Sequence, residues 1–251
     1  MSQTDGAAAA ALAARRHLET LLDASGLPGL PPGFADAAQR YVGLLLEANR
    51  RLNLTRLVEP EAIARDHLLD ALAALPLLDE LQPRSAVDLG SGGGVPGMPL
   101  ALARPDVRWI LVDSIAKKAD ALRGFVAALG LRNVTVVAER AEALGHAPAH
   151  RERHDLVAAR ACAPLAVLAE LALPLVALGG KLLAWKGPLT DADDEVRRGR
   201  AAAGQLGGGP LSIEPSLPAL GGHTFVVVPK VASTPARFPR RPGEPTRRPL
   251  G

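Results

Sequence analysis

Residues 86–97 read AVDLGSGGGVPG, and this stretch decides the fold of the chain. A short apolar run ends at Asp88, four glycines follow within residues 90–94, and Pro96 stands where the next helix begins. Apolar runs that end in glycine-rich turns are typical of buried strands, and proline favours the start of a helix. The stretch therefore predicts a strand, a tight loop and a helix, which is the arrangement of a ligand-binding loop.

The loop contains the G-x-G-x-x-G spacing of dinucleotide-binding proteins, at Gly92, Gly94 and Gly97. The first glycine after the strand is Gly90, however, and counting from it places Val95 where the last glycine should stand. Pro96 also removes a backbone N–H donor from the start of the helix, where a pyrophosphate needs one. The register therefore argues against a nicotinamide-dependent oxidoreductase, the alternative enzyme class for such a loop.

S-adenosylmethionine makes different demands, because it has no phosphate and carries a cationic sulfonium and an amino-acid end. Glycines allow close approach of the backbone, and a carboxylate at a strand end attracts positive charge. Asp88 fits this role, and Asp113, at the end of the second strand, is placed to accept hydrogen bonds from both ribose hydroxyls. The alternatives are a loop-organising acceptor for Asp88 and a helix cap for Asp113. Because the two acids follow successive strands around one crevice, we expect them to bind S-adenosylmethionine.

Strand-like and helical segments alternate after residue 85. Strands are predicted at residues 86–89, 108–112, 133–137, 156–159 and 181–185, with helices from residues 97, 116 and 164 and a short turn at 141–144. A helix at 191–203 and two short strands at 211–213 and 223–228 follow. This order predicts an α/β protein with a doubly wound, mainly parallel sheet of the Rossmann-like kind and an antiparallel C-terminal strand pair at its edge.

Three helices are predicted ahead of the sheet, at about residues 8–22, 34–52 and 60–75. They would form an N-terminal helical cap, and the extreme N-terminus is expected to fray. On the third helix His67 and Asp70 share a face with Ile63, and the simplest interpretation is a hydrogen-bonded pair that anchors the cap. No third ligand accompanies them, so no metal site is predicted.

The composition is that of a globular protein, with 48% hydrophobic and 22% charged residues. The single cysteine, Cys162, cannot form an intrachain disulfide, and the first residues, MSQTDG, lack the basic start of a signal peptide, so we expect a cytoplasmic protein. The longest apolar stretch, residues 161–178, contains Pro164, Glu170 and Pro174, which favours a buried amphipathic helix over a membrane span. Aromatic residues make up only 3% of the chain, which argues against base stacking as the main mode of nucleic-acid contact.

Basic residues are concentrated at the C-terminus. Residues 230–251 contain six of the 29 basic residues and one of the 26 acidic residues, which leaves 23 basic and 25 acidic residues in the rest of the chain. A basic, proline-rich tail favours a polyanionic partner such as nucleic acid. On charge alone, a solvated disordered end explains the tail equally well.

Several motifs occur together in the order in which one known family has them. They are NLT at residues 53–55, HLLD at 67–70, DLGSGGGVPG at 88–97, LVDS at 111–114, ERAE at 139–142, ARA at 159–161 and AWKG at 184–187. Over about residues 44–250 the chain resembles the RsmG (GidB) family of bacterial small-subunit rRNA methyltransferases. The ending FPRRPGEPTRRPL is similar to the PRxxGxPxxxPL ending of many members, with Thr246 where they often have lysine.

The resemblance implies methyl transfer from S-adenosylmethionine to N7 of a guanosine in 16S rRNA, in the loop near the decoding site. Together with Asp88 and Asp113, which were assigned above, the full set of residues expected to bind the cofactor is Asp88, Gly90, Gly92, Gly94, Val95, Asp113, Ala141, Glu142 and Arg160. Ala141 and Glu142 are expected on the adenine side, and Arg160 is expected to reach the site from the end of the fourth strand. The expected RNA contacts are Asn53, His67, Lys186, Arg240, Arg241, Arg247 and Arg248.

The chemistry of the acceptor limits which catalytic residues are needed. N7 of guanine has a free lone pair and carries no proton, so holding the reacting atoms in line at about 3 to 3.5 Å supplies much of the acceleration. We therefore expect no general base, and Arg160 and Lys186 are the candidates for contact with the reacting guanosine. The alternative role of Arg160 is a salt bridge to Glu142. The alternative role of Lys186 is that of a surface cation at the end of a strand.

These observations predict three parts: a helical cap at residues 1–80, a methyltransferase core at 81–229 and a flexible RNA-binding tail at 230–251. The expected partner is 16S rRNA or the small ribosomal subunit, with no metal and no membrane, and the protein is expected to be a monomer. The alternative function is a non-catalytic RNA-binding or ribosome-assembly protein that retains the fold.

Overall fold

A seven-stranded sheet forms the centre of the protein in a computed structural model that describes residues 3–251. In chain order its strands are β1 (Ser85–Leu89), β2 (Arg108–Val112), β3 (Val134–Val137), β4 (His154–Arg160), β5 (Val176–Lys186), β6 (Ser212–Pro215) and β7 (Thr224–Pro229). Across the sheet the order is β3-β2-β1-β4-β5-β7-β6. Strands β1 to β5 are parallel, and β7 is antiparallel to both of its neighbours.

The alternation of strands and helices explains this topology. A helix follows each of β1 to β4 and returns the chain to the amino edge of the sheet, and the strand order reverses between β1 and β4. Four of the five residues of β1 are buried, as expected for a strand that is covered on both faces. The predicted doubly wound, mainly parallel sheet with an antiparallel C-terminal pair is therefore confirmed.

Helices cover both faces of the sheet. One face carries α1 (Gln3–Ser25), α2 (Phe34–Leu52), α3 (Pro60–Ala62), α4 (Asp70–Leu72), α5 (Leu75–Leu81), α6 (Gly97–Ala103) and α7 (Ala116–Leu129). The other face carries α8 (Ala141–Leu144), α9 (Leu165–Ala172) and α10 (Asp194–Gln205), and α11 (Glu244–Arg247) packs against α9. The first helix, α1, is longer than the predicted residues 8–22. The predicted fraying concerns the extreme N-terminus, and Met1 and Ser2 lie outside the described residues.

The third predicted helix, at residues 60–75, changes its helix type along its length. It consists of α3, a π-helical segment at Ile63–Leu69 and α4, and it ends at Leu72. Pro76 explains the end, because it has no N–H for the preceding turn and stands instead in the first turn of α5. The predicted helix is therefore present, but it contains a π-helical segment and ends before Leu75, and α5 was not predicted. The π-helical segment contains His67, and such segments occur frequently at functional sites.

The tail segment, residues 230–251, packs against the face that carries α9 and α10. Lys230 is 1% exposed and donates hydrogen bonds to two main-chain carbonyl oxygens, and burial lowers the pKa of Lys230 to about 8. Phe238 is buried in the core, and Arg240 pairs with the fully buried Glu170. The expectation of a flexible tail is corrected on this point, because the segment buries groups whose partners lie far away in the sequence. The division of the chain into three parts stays a prediction.

The apolar stretch at residues 161–178 contains the buried helix α9, as predicted, but the helix ends at Ala172 and β5 already begins at Val176, within the stretch. Among the helices of residues 3–251, none is long and apolar enough to span a membrane.

Candidate functional site

The glycine loop, residues 90–96, connects β1 to α6 at the carboxyl edge of the parallel strands. The N–H groups of Gly90 and Ser91 both donate to the Val112 carbonyl oxygen at the end of β2, at 2.9 Å each. Gly90, Gly92 and Gly94 have φ angles of 77°, 56° and 101°, in the left-handed region that glycine adopts readily. The loop is therefore a tight turn that is tied to the neighbouring strand.

Two glycines are required by packing rather than by a ligand. A Cβ at Gly97 would lie 2.4 Å from Leu111, and a Cβ at Gly94 would lie 2.6 Å from Met98. A Cβ at Gly90 would instead approach the Cys162 Sγ to 3.0 Å, at the end of β4. Gly94, a predicted cofactor residue, thus has a structural reason to be glycine.

Asp88 lies beneath the glycine loop and is 1% exposed. Its Oδ2 accepts a hydrogen bond from the Gly97 N–H at 3.0 Å, whereas its Oδ1 has no partner within the described residues. Burial raises the pKa of the Asp88 carboxyl to about 6, and the Gly97 N–H offsets this only in part. The geometry assigns Asp88 the task of tying α6 to β1, which is the loop-organising alternative raised above.

Asp113 follows β2 and is 6% exposed. Its Oδ2 accepts the Gly92 N–H at 2.9 Å, and its Oδ1 accepts the Ile115 N–H at 2.8 Å. A carboxylate has about four lone-pair sites, so each oxygen retains capacity for a second donor. Asp113 therefore positions the glycine loop and the start of α7 while it keeps acceptors available for a ligand.

The loop cavity, with a volume of about 200 Å³, lies between the glycine loop and the helical cap. It is lined by Gly90, Ser91, Gly92, Gly93 and Val95 from the loop, by Leu45, Leu54, Thr55 and His67 from the cap, and by Arg160 and Ala161 at the end of β4. The predicted cofactor residues outside this lining are Asp88, Gly94, Asp113, Ala141 and Glu142. Pockets for drug-sized ligands have volumes of about 300 to 1,000 Å³, so this cavity accommodates only part of such a ligand.

Arg160 connects the end of β4 to the helical cap. Its Nη1 donates to the Asp70 carboxylate at 2.9 Å and to a main-chain carbonyl of the π-helical segment, and its Nη2 donates to His67 Nδ1 at 2.8 Å. The predicted alternative, a salt bridge from Arg160 to Glu142, is wrong, because the guanidinium pairs with the Asp70 carboxylate at the start of α4. Glu142 lies on α8 and instead accepts a hydrogen bond from the Gly243 N–H in the tail segment, at 2.9 Å.

His67 is 6% exposed and neutral in this network. Since its Nδ1 accepts from Arg160, its Nε2 carries the proton and donates to Thr55 Oγ1 at 2.6 Å. Burial, and next to it the charge of Arg160, lowers the pKa of His67 to about 4. The predicted hydrogen bond between His67 and Asp70 is wrong, because both side chains bind Arg160 instead.

A second cavity, the Trp185 cavity, has a volume of about 320 Å³ and lies on the other side of Arg160. Its lining residues come from α4, from the ends of β4 and β5 and from the turn before β7: Asp70, Arg160, Ala161, Trp185, Lys186, Gly187 and His223. Ala161 lines both cavities and has a φ angle of 51°, a left-handed conformation that costs a non-glycine residue about 1 to 3 kcal/mol. Such strain is found mostly at ligand sites.

Lys186 lines the Trp185 cavity, but its ammonium is already paired. Its Nζ donates to Glu195 on α10 at 2.6 Å and to the Ala163 carbonyl oxygen at 2.9 Å, and its side chain is 16% exposed. The alternative of a surface cation is corrected, because α10 supplies a carboxylate that the sequence pattern did not reveal. The role of Lys186 as a phosphate contact stays a prediction.

The remaining predicted RNA residues lie apart from the two cavities. Asn53 is exposed and ends α2 with a φ angle of 49°. Arg240 is engaged with Glu170, while Arg241, Arg247 and Arg248 are exposed on the tail segment. The structure therefore leaves three of the four predicted tail arginines open to a polyanion.

Sequence reasoning missed His223, which lies immediately before β7 and donates from Nδ1 to the Asp70 carboxylate at 3.0 Å. The pairing of Thr224 with Lys186 in the antiparallel register places His223 just beyond the end of β5. The only local signal was the predicted strand that begins at residue 223, which carries no information about a partner 153 positions away.

Two other features of the described residues bear on the choice of site. No group of three or more histidine, cysteine or acidic side chains in residues 3–251 has the arrangement of a metal site. A larger groove of about 610 Å³ lies between α2 and α7, lined by residues such as Leu44, Arg51 and Phe125, and none of the predicted site residues belongs to it. The convergence of the glycine loop, the two acids and Arg160 therefore favours the carboxyl edge of the sheet over the groove between α2 and α7.

Comparisons with known proteins identify the family of the chain. The family model described as "GidB: rRNA small subunit methyltransferase G" matches residues 35–215. The chain is 47% identical to "Ribosomal RNA small subunit methyltransferase G" of Roseiflexus sp. (strain RS-1) over 213 residues, which is 84% of this chain and 89% of the relative. It is 46% identical to the protein of the same name from Deinococcus radiodurans, over 84% of this chain and 83% of the relative.

Solved structures of two other proteins share the fold. One is a putative O-methyltransferase from Klebsiella pneumoniae, with a TM-score of 0.52 and 17% identity over 85% of this chain and 96% of that chain. The other is the O-methyltransferase TomG from Streptomyces achromogenes in complex with SAM, with a TM-score of 0.52 and 18% identity over 85% and 95% of the two chains. At this identity the likeness concerns the fold alone.

Proposed function

This chain belongs to the GidB family, rRNA small subunit methyltransferase G, and on that premise we propose that it transfers a methyl group from S-adenosylmethionine to N7 of a guanosine in 16S rRNA. The observation that carries the proposal is the glycine loop at the carboxyl edge of the sheet, bordered by Asp113 and Arg160. We further propose that the protein acts in the cytoplasm as a monomer.

The residues around the loop fit S-adenosylmethionine. Gly90, Gly92 and Val95 leave the backbone open to a ligand, and Asp113 retains lone pairs for the ribose hydroxyls. The negative charge of Asp88 and Asp113 favours a cationic ligand. The loop is poorly suited to a pyrophosphate, because Pro96 has no N–H to donate at the start of the helix. When bound, the cofactor supplies a methyl group on a sulfonium. We infer that the loop cavity holds one end of it and that the rest lies towards Asp113.

This division of roles requires no proton transfer by the protein. Asp88 holds Gly97, Asp113 holds the loop and Asp70 holds Arg160, so each buried carboxylate near the cavities is occupied with a fixed N–H donor or cation. N7 of guanine is nucleophilic without deprotonation. This suits a site whose residues position the two substrates and abstract no proton. The expectation that no general base acts here stays a prediction.

The direct test is incubation of the purified protein with methyl-labelled S-adenosylmethionine and either 16S rRNA or 30S subunits, followed by mapping of the label. We expect label on N7 of one guanosine. Label on another atom or base would overturn the proposed acceptor, and cofactor binding without label transfer to either RNA substrate would support the non-catalytic alternative instead.

Asp113→Ala is expected to weaken S-adenosylmethionine binding about 10- to 100-fold, which corresponds to about 1 to 3 kcal/mol for lost hydrogen bonds to a charged group. Isothermal titration calorimetry measures this change. Asp120→Ala is the matched control, because Asp120 is an exposed carboxylate on α7 that pairs only with Arg123 among the described residues. Equal affinities for the Asp113 variant and the control would contradict the ribose role.

Replacement of Arg241, Arg247 and Arg248 with glutamine is expected to weaken RNA binding and to flatten its salt dependence. Each lost phosphate contact lowers the slope of log K against log salt by about 0.7 to 0.9. The charge-matched control replaces Arg197, Arg198 and Arg200, exposed residues of α10 that pair with acidic neighbours. If binding titrations give the same slope for both triple variants, the tail arginines do not contact phosphate.

A further inference from the structure

We propose that the Trp185 cavity receives the guanine that is methylated and that His223 Nε2 binds its Watson–Crick edge, held in place by Asp70. This inference rests on the proposed function, and it identifies the acceptor site and a residue that recognises the base. Its support comes from the position of the cavity, from the hydrogen bonds of Asp70 and from the chemistry of the imidazole.

The position of the cavity is the first argument. The loop cavity and the Trp185 cavity share Arg160 and Ala161, so they meet at the end of β4. Methyl transfer brings donor and acceptor atoms to about 3 to 3.5 Å, and the two ligands must therefore occupy adjoining sites. A base that is unstacked from its neighbours for methylation needs a pocket of its own, and the Trp185 cavity adjoins the loop cavity.

Asp70 organises the wall of this cavity. Its side chain is only 4% exposed, and its carboxylate accepts hydrogen bonds from His223 Nδ1 at 3.0 Å and from Arg160 at 2.9 Å. Its main-chain carbonyl accepts the Trp185 indole N–H at 2.8 Å. One residue thus fixes side chains from the ends of β4 and β5 and from the turn before β7. This is more than the anchoring of a cap requires.

The tautomer of His223 follows from this arrangement. Because Nδ1 donates its proton to Asp70, the neutral ring presents a lone pair at Nε2. The His223 side chain is 39% exposed, and within residues 3–251 no hydrogen bond to its Nε2 is found. His223 therefore offers an acceptor to the cavity, beside a guanidinium that offers donors.

These groups match the edge of guanine. The N1–H and N2–H₂ groups of guanine are donors that suit the Nε2 lone pair, whereas O6 is an acceptor that suits Arg160. Arg160 uses three of its five N–H groups within the described part of the chain, which leaves two for such a contact. Adenine has no N1–H and no 2-amino group, so the same arrangement discriminates against it.

The test compares His223→Ala with wild type in single-turnover methylation of 30S subunits or 16S rRNA, whichever the wild type modifies. We expect a 10- to 100-fold loss in the rate at limiting RNA, with S-adenosylmethionine affinity within about twofold of wild type. His223→Gln should recover part of the rate, because its side-chain oxygen also accepts a hydrogen bond. His150→Ala is the matched control, since His150 stacks on His154 near the opposite edge of the sheet.

The outcomes separate this inference from the proposed function. If the wild type does not methylate RNA, the proposed function fails. If the wild type is active and His223→Ala retains a rate within about twofold, the inference is overturned. A parallel loss of cofactor affinity and rate in both His223 variants would also overturn it, because the residue would then support the fold of the site and not the base. Urea unfolding midpoints of the variants identify any loss of folding.

Discussion

Replacing Glu170 with glutamine is expected to destabilise the folded protein by about 3 to 5 kcal/mol, the range for breaking a buried ion pair. Glu170 is fully buried on α9, and its Oε1 accepts the main-chain N–H and the Nε–H of Arg240 at 2.8 Å each. The variant retains a neutral acceptor but leaves the Arg240 guanidinium, which is 20% exposed, without a countercharge of equal quality. The tail segment should then detach from α9 more easily.

Urea unfolding measures this loss, and limited proteolysis at Arg241 reports whether the tail segment is released. Arg197→Gln is the control, because the exposed ion pair that it breaks on α10 should leave the unfolding midpoint almost unchanged. In a double-mutant cycle with Arg240→Met, the double variant should lose less stability than the sum of the losses of the two single variants. A midpoint for Glu170→Gln equal to that of the Arg197 control would show that the tail segment does not depend on this pair.

The second large effect is a loss of stability of about 3 kcal/mol between about pH 7 and about pH 5. Burial lowers the pKa values of His67 and His154 to about 4, from an ordinary value of 6.5. Below about pH 6.5 the unfolded chain binds protons at both histidines while the folded protein does not, so acid favours unfolding by about 2 kcal/mol for each histidine at pH 5.

Asp88 opposes this loss. Burial raises its pKa to about 6, so the folded protein binds a proton there that the unfolded chain has released at any pH above 3.8. Stability from this group is fully present below the unfolded pKa and is lost as the pH rises through about 6. Acidification to about pH 5 therefore raises the free energy of unfolding by about 1 kcal/mol through Asp88. The opposite effect of the two histidines is larger.

Two variants should move the pH dependence in opposite directions. In His154→Asn the loss between about pH 7 and about pH 5 should fall to about 1 kcal/mol, whereas in Asp88→Asn it should grow to about 4 kcal/mol. Urea unfolding at several pH values, compared as differences from each variant's own value at pH 7, measures both. Equal slopes for the two variants would contradict the assignment of these groups.

Most strands were predicted to within one or two residues of their observed ends, whereas β5 begins at Val176 and not at the predicted residue 181. The prediction for β2 at residues 108–112 agrees with the structure at both ends, and the short turn predicted at 141–144 is the helix α8. In both cases the signal is local, because apolar runs and turn residues decide whether a few neighbouring residues extend or coil. The third helix was predicted less well, since the π-helical segment around His67 depends on what packs against it.

The site was predicted in part. Gly90, Gly92, Val95, His67 and Arg160 do line one cavity, because strand ends and their loops converge at one edge of a parallel sheet. Their partners were predicted wrongly or not at all. Arg160 binds a carboxylate 90 positions away and Glu170 binds an arginine 70 positions away, and neither distance leaves a periodic trace in the sequence.

The sequence by itself determined the order of strands and helices, the glycine loop between β1 and α6, and the family to which the chain belongs. These depend on periodicity, on the conformational freedom of glycine and on the missing N–H of proline, which act between neighbouring residues. Only the tertiary structure decided that Asp70 joins Arg160 to His223, that Lys186 is paired with Glu195 and that the basic tail is packed on α9. Buried charges must find partners wherever the fold places them, and that choice depends on the packing of whole elements.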